Sequence, residues 1–186
     1  MNIDNSQPLR SVNMFLPDEA ATEALAHAIA PLVCGTHPAL SKASPGGRIH
    51  LRGDLGAGKT SFARALLRAA GITGRIKSPS YALLESYNLS SLYFYHLDFY
   101  RFNDTREWVD AGFREILRDD AVVLIEWPER AGGLLPPPDL EITLSYVQNG
   151  RNAELAAHSK KGLLWLTTLA SAAQDVPRQT PPGAES

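Results

Sequence analysis

The chain has 186 residues, 44% of them hydrophobic and 20% charged, which is the balance of a soluble globular protein long enough for one domain with a proper core. A formal net charge of −2 argues against a broad basic surface for nucleic acid, and the lack of a long apolar run argues against a membrane span. The one cysteine, Cys34, has no internal disulfide partner, which suits a reducing, cytoplasmic setting and leaves it the role of a small apolar residue near a helix end.

Residues 1–10 are polar, lack a signal-peptide core and read as a flexible N-terminus. The domain is expected over residues 11–172. Val12 to Leu16 reads as a short strand. Pro17-Asp18-Glu19 opens a helix to Val33, with Leu25, Ala28, Ile29 and Leu32 on one face. Residues 35–47 are a loop by composition.

Arg48 to Leu51 then reads as a strand, and Ser61 to Leu67 as a helix ending near Ala70 with Gly71 as its stop. Between them stands Gly53-Asp54-Leu55-Gly56-Ala57-Gly58-Lys59-Thr60, a phosphate-binding P-loop. Glycines let the backbone fold around a polyphosphate with its N–H groups inward, and the helix that follows turns its positive end to the same phosphates. In this pattern Lys59 reaches the β- and γ-phosphates and the hydroxyl of Thr60 holds a magnesium ion.

Lys77-Ser78-Pro79-Ser80-Tyr81 reads either as a switch-like loop near the γ-phosphate or as a plain loop entering a strand. Tyr81 to Tyr87 and Leu92 to Asp98 are strand-like runs joined by a turn at 88–91. Asp98 falls at a strand end, on the face of His96 and Phe94, where it suits a metal ligand, a group orienting water, or a cap of the next turn. Asn103 to Asp119 reads as a helix broken at Gly112, with Trp108, Val109, Phe113, Ile116 and Leu117 as its apolar face. Ala121 to Ile125 is five apolar residues in a row, a strand buried on both faces, and it ends in Glu126. A carboxylate ending a buried strand is expensive without a partner, so Glu126 reads as a magnesium ligand or one half of an ion pair.

Four prolines make 128–138 irregular. Asp139 to Val147 and Arg151 to Ala157 form a hairpin around Gln148-Asn149-Gly150. Ser159 starts a last helix with Leu163, Leu164, Leu166 and Leu169 as the expected buried side. Residues 173–186 are polar, with three prolines, and read as a disordered tail. The pattern predicts an α/β fold: a single P-loop NTPase-like domain, a mixed central sheet with antiparallel hairpins flanked by helices. No Asn-Lys-x-Asp stretch is present to read guanine, which tilts the nucleotide to ATP.

The P-loop, Lys77-Ser78-Pro79-Ser80-Tyr81, His96-Leu97-Asp98-Phe99-Tyr100-Arg101 and Ile125-Glu126-Trp127-Pro128 occur together in this order. The combination resembles the TsaE family, the P-loop ATPase of bacterial tRNA threonylcarbamoyladenosine biosynthesis, from about Leu16 to about Leu169. The resemblance implies magnesium-dependent ATP hydrolysis in support of the TsaB and TsaD proteins, with tRNA engaged indirectly through that complex. It implies that Gly56, Ala57, Gly58, Lys59, Thr60 and Ser61 hold the phosphates and that Thr60 and Glu126 bind magnesium. It further implies that Asp98 is needed for hydrolysis and that Glu19 lines the nucleotide site. Ser80 stands where the family usually has Thr, which keeps the hydroxyl and loses a methyl. Two other readings stand beside this one: a small-molecule P-loop kinase, and a nucleotide-gated binding module with negligible turnover.

Overall fold

The computed structural model describes residues 7–40, 43–90, 92–102, 112–118 and 120–174. Strand β1 (Arg10–Leu16) leads into helix α1 (Glu19–Val33), whose first turn is capped by the Asp18 carboxylate accepting the Ala21 N–H at 2.8 Å. Cys34 closes that helix, and burial pushes its thiol up to about 11. Strand β2 (Gly47–Arg52), the P-loop and helix α2 (Lys59–Ala69) follow. The hairpin of β3 (Leu84–Leu89) and β4 (Leu92–Asp98) comes next, then β5 (Val122–Glu126). The chain closes with the hairpin of β6 (Leu140–Val147) and β7 (Gly150–Ala157) and with helix α3 (Lys160–Gln174).

The seven strands form one mixed sheet in the order β1-β7-β6-β2-β5-β4-β3. Strands β6, β2, β5 and β4 run parallel to one another, and β7, β1 and β3 run antiparallel to their neighbours. The parallel strands are the most apolar, as burial on both faces requires; every residue of β5 is buried. The P-loop therefore leaves the sheet at the centre, with β5 and β4 ending beside it in register: Asp98 stands opposite Glu126, and Glu126 opposite Leu51.

Alternation along the strands divides the core in two. Ile49, Leu51, Phe94, Leu124, Ile142 and Leu155 pack with Leu25, Ile29, Phe62, Leu66, Trp165 and Leu166 from the three helices. On the other face Leu97, Val123 and Ile125 pack under Phe99, Phe102, Phe113 and Ala131. Asp139 ties the far end of the sheet: its carboxylate accepts the Arg48 N–H at 2.8 Å and the hydroxyl of Ser159, while its carbonyl accepts the His158 N–H at 3.0 Å. Ser159 in turn accepts the Gly162 N–H at 3.0 Å, so one buried carboxylate joins the start of β2 to the start of α3. None of the described helices is long and apolar enough to cross a membrane.

Several boundaries differ from the expected ones. β3 begins at Leu84 rather than Tyr81, because Pro79 to Ala82 form a turn closed by the Leu83 N–H on the Pro79 carbonyl and Leu83 takes a positive φ of 62°. The β3–β4 turn is tighter than residues 88–91, since Leu89 is already opposite Leu92. In α3, Trp165 and Leu166 are fully buried whereas Leu164 is 43% exposed; two residues before Leu166 lies about 200° round a helix, off the buried stripe. On α1 Leu25, Ile29 and Leu32 are buried as expected, but Ala28 is exposed and Ala26 is buried in its stead. The helix expected at 103–119 falls mostly outside the described residues, Trp108 and Val109 included; its described remainder, Phe113–Ile116, is a single 3-10 turn after Gly112. The flexible N-terminus and the tail lie outside the described residues up to Ser6 and beyond Gln174; Arg10 already belongs to β1 and α3 runs to Gln174.

Candidate functional site

The C-terminal ends of β2, β4 and β5 open on a cavity of about 180 Å³ lined by Gly56, Gly58, Lys59, Thr60, Ser61, Ser80, Asp98, Tyr100, Glu126 and Trp127, with Leu55 at its mouth. Strand ends in an open parallel sheet are where such a crevice forms. The P-loop needs its glycines here for two separate reasons. Gly53, Gly56 and Gly58 take φ values of 130°, 80° and 109°, and a Cβ at Gly53 would stand 2.1 Å from the carbonyl oxygen of Leu144 in β6. Ala57 turns its methyl into the core while its N–H is bonded to the Asp54 carbonyl at 3.1 Å.

Lys59 is 4% exposed. Its ammonium donates to the carbonyls of Gly53 at 2.6 Å and Asp54 at 2.8 Å and sits 4.1 Å above the Trp127 ring. Burial lowers the pKa of this ammonium, and the carboxylates of Glu126, Asp98, Glu129 and Asp54 partly oppose that. The next residue, Thr60, points its hydroxyl at Glu126, 2.9 Å from Oε1 and 2.8 Å from Oε2. The two carboxylate oxygens and the hydroxyl are hard oxygen donors converging at the cavity wall, the donor chemistry that suits magnesium.

Asp98 is buried at the end of β4, and each of its oxygens has a partner. Oδ1 accepts the Tyr100 N–H at 2.8 Å, which is the turn-capping role, and Oδ2 accepts the Ser80 hydroxyl at 2.9 Å. Ser80 is also 2.8 Å from the Ser78 hydroxyl, so the Ser-Pro-Ser loop is bonded to the strand end that it faces. The structure thus brings Lys59, Thr60, Ser61, Gly56, Gly58, Asp98 and Glu126 to one cavity. Glu19 stands apart from its lining, exposed in the first turn of α1.

Four further residues belong to the site's surroundings: Tyr146 and Arg151 lie outside every motif, and Trp127 and His96 lie in quoted motifs without a role read for them. Tyr146 closes over the loop, its hydroxyl oxygen 2.8 Å from where a Cβ on Gly56 would lie. The Nε of Arg151 stands 3.6 Å from the corresponding point at Gly58 and, buried, has no hydrogen-bond partner among the described residues. Trp127 adopts a left-handed φ of 56°, which lays its ring beside Lys59. His96 is fully buried, with Nε2 2.8 Å from Glu126 Oε1. Tyr146 and Arg151 reach the P-loop only through the β6–β7 hairpin, some ninety residues downstream, and a local spacing rule cannot see that approach.

The sequence model of the TsaE family, described as threonylcarbamoyl adenosine biosynthesis protein TsaE, matches residues 16–153. A Haemophilus influenzae protein named tRNA threonylcarbamoyladenosine biosynthesis protein TsaE is 36% identical over 154 residues, covering 83% of this chain and 94% of that protein. A Bacillus subtilis protein of the same name is 38% identical over 102 residues, 55% of this chain and 63% of that protein. The crystal structure of Bacillus subtilis YdiB superposes with a TM-score of 0.69 and 26% identity, covering 88% of this chain and 97% of that one. With the family's sequence pattern spanning most of the chain, and its P-loop and acid-ended strands meeting at a single cavity, the chain belongs to the TsaE family.

Proposed function

We propose that this chain is an ATP-binding and ATP-hydrolysing subunit required for tRNA N6-threonylcarbamoyladenosine modification, acting in the cytoplasm with the TsaB–TsaD complex and meeting tRNA through it. The observation that carries the reading is the convergence of Lys59, Thr60, Asp98 and Glu126 on one cavity at the strand ends, in a member of this family. Magnesium, when bound, supplies charge neutralisation on the phosphates; Thr60 and Glu126 are the residues that hold it. Gly56, Gly58 and Ser61 cradle the phosphates at the start of α2, and Arg151 faces the same loop with an Nε–H that has no partner among the described residues. Lys59 exchanges the carbonyls of Gly53 and Asp54 for phosphate oxygens. Asp98, held by Ser80 and the Tyr100 N–H, orients the attacking water.

The test is phosphate release from ATP by the chain alone, with TsaB–TsaD, and with TsaB–TsaD plus tRNA. Turnover should rise with the partners, and Asp98→Ala should bind ATP near-normally while losing at least ten-fold in hydrolysis. Turnover of Asp98→Ala at the wild-type rate would remove Asp98 from the mechanism. Transfer of phosphate to a metabolite in place of water would make the chain a kinase.

A further inference from the structure

Glu126 is held from two sides, and the two contacts differ in kind. The Thr60 hydroxyl is nearly equidistant from the two carboxylate oxygens, 2.9 and 2.8 Å, so it cannot decide which of them faces the cavity. His96 reaches Oε1 alone, at 2.8 Å. It does so from within the sheet: His96 is fully buried, stands opposite Leu124 in register and is absent from the cavity lining. A carboxylate can only accept, so Nε2 carries the proton, and Nδ1 has no partner among the described residues. The ring is therefore held at its polar edge by this one carboxylate, on the same buried face of β4 as the apolar Phe94.

We infer that His96 is a positioning residue for the magnesium site: its Nε2–H anchors Glu126 Oε1 and thereby presents Oε2, beside the Thr60 hydroxyl, to the cation. This rests on the magnesium-nucleotide reading above and adds the group that orients its carboxylate. Partners of this kind, one bond behind a ligand, typically change metal affinity by 10- to 100-fold when removed. A histidine that merely fills the core would affect stability and leave metal affinity unchanged.

The test titrates Mn2+ by electron paramagnetic resonance into the full chain saturated with ADP, and measures ADP affinity in EDTA by calorimetry. His96→Leu should weaken Mn2+ binding at least ten-fold with ADP affinity in EDTA unchanged. His96→Gln, whose amide N–H stands about where Nε2 stands, should recover most of the loss. Should His96→Leu fail to fold, His96→Asn replaces it: its amide reaches only to the Nδ1 position, so the Gln variant must hold Mn2+ at least ten-fold tighter than the Asn variant. Wild-type Mn2+ affinity in His96→Leu, or equal loss in folded Gln and Asn variants, overturns the role of His96 alone. A wild-type chain with no ADP-dependent Mn2+ site overturns the magnesium reading itself, and this inference with it.

Discussion

His50 shows what a buried titratable group does to this protein outside its site. The ring is 4% exposed in the middle of β2, and its Nε2 has no partner among the described residues. Burial first, then the charges of Arg52, Arg48 and His158, hold its pKa down to about 3 against an ordinary 6.5. The unfolded chain takes up this proton near pH 6.5 and the folded chain refuses it. The stability linked to His50 is therefore complete above about pH 6.5 and is lost as the pH falls towards 3, a swing on the order of 4 kcal/mol. Urea midpoints for the wild type should fall steeply between pH 6.5 and 4, and His50→Leu should flatten that limb; parallel curves would free His50 of the effect. Residues of this kind were not legible in the sequence. Lys59, Thr60, Asp98 and Glu126 could be found because each sits in a motif or at the end of an apolar run. His50 and Arg151 acquire their surroundings from strands far along the chain: His50 lies beside Ile125 and Glu141, and Arg151 beside Leu16 and Tyr146.

Among the elements, the P-loop is held as much by β6 as by its own glycines. Gly53 combines a φ of 130° with a Cβ position 2.1 Å from the Leu144 carbonyl oxygen, so Gly53→Ala must push the loop off β6 as well as strain it. We expect a loss of about 3 kcal/mol or more in chemical denaturation. Gly74→Ala, with φ at 84° and open space around its Cβ, should lose only about 1 kcal/mol. Equal losses would mean that backbone conformation, and not the approach of β6, sets the requirement at Gly53. At this scale the sequence was a good guide where period and punctuation agreed: the strands β2, β4, β5, β6 and β7 and the helices α1 and α2 lie close to their expected places. It misled at Tyr81, where a β-like run is bent by the turn from Pro79, and on α3. There Trp165, not Leu164, lies over the sheet, because Gly47 leaves room for its ring: a Cβ at Gly47 would be 2.5 Å from Trp165 Cη2.

For the molecule as a whole, the candidate site and the tethering carboxylate occupy opposite ends of one sheet. P-loop, Asp98 and Glu126 stand at the C-terminal ends of the parallel strands, and Asp139 binds β2, β6 and α3 at the other end. The mixed sheet around four parallel strands was foreseeable from acid-ended apolar runs and two hairpins; its order was not, since no local pattern says that β1 lies beside β7. That pairing sets Arg10 against Ala157 and Leu16 against Arg151, and it is close: a Cβ on Gly150 would stand 2.6 Å from the Leu16 carbonyl oxygen. Gly150→Ala should therefore raise amide exchange in residues 10–16 while sparing β2 and β5; exchange in β1 at the wild-type rate would show that the edge yields without opening. The same pairing has a consequence for how the protein is made. Strand β1 is made long before its neighbour β7, so Leu16, buried in the folded sheet, and the half-buried Val12 must wait, uncovered, for most of the domain to be synthesised. During that interval β1 has both of its edges open to another nascent chain, whereas in the folded sheet β7 covers one of them.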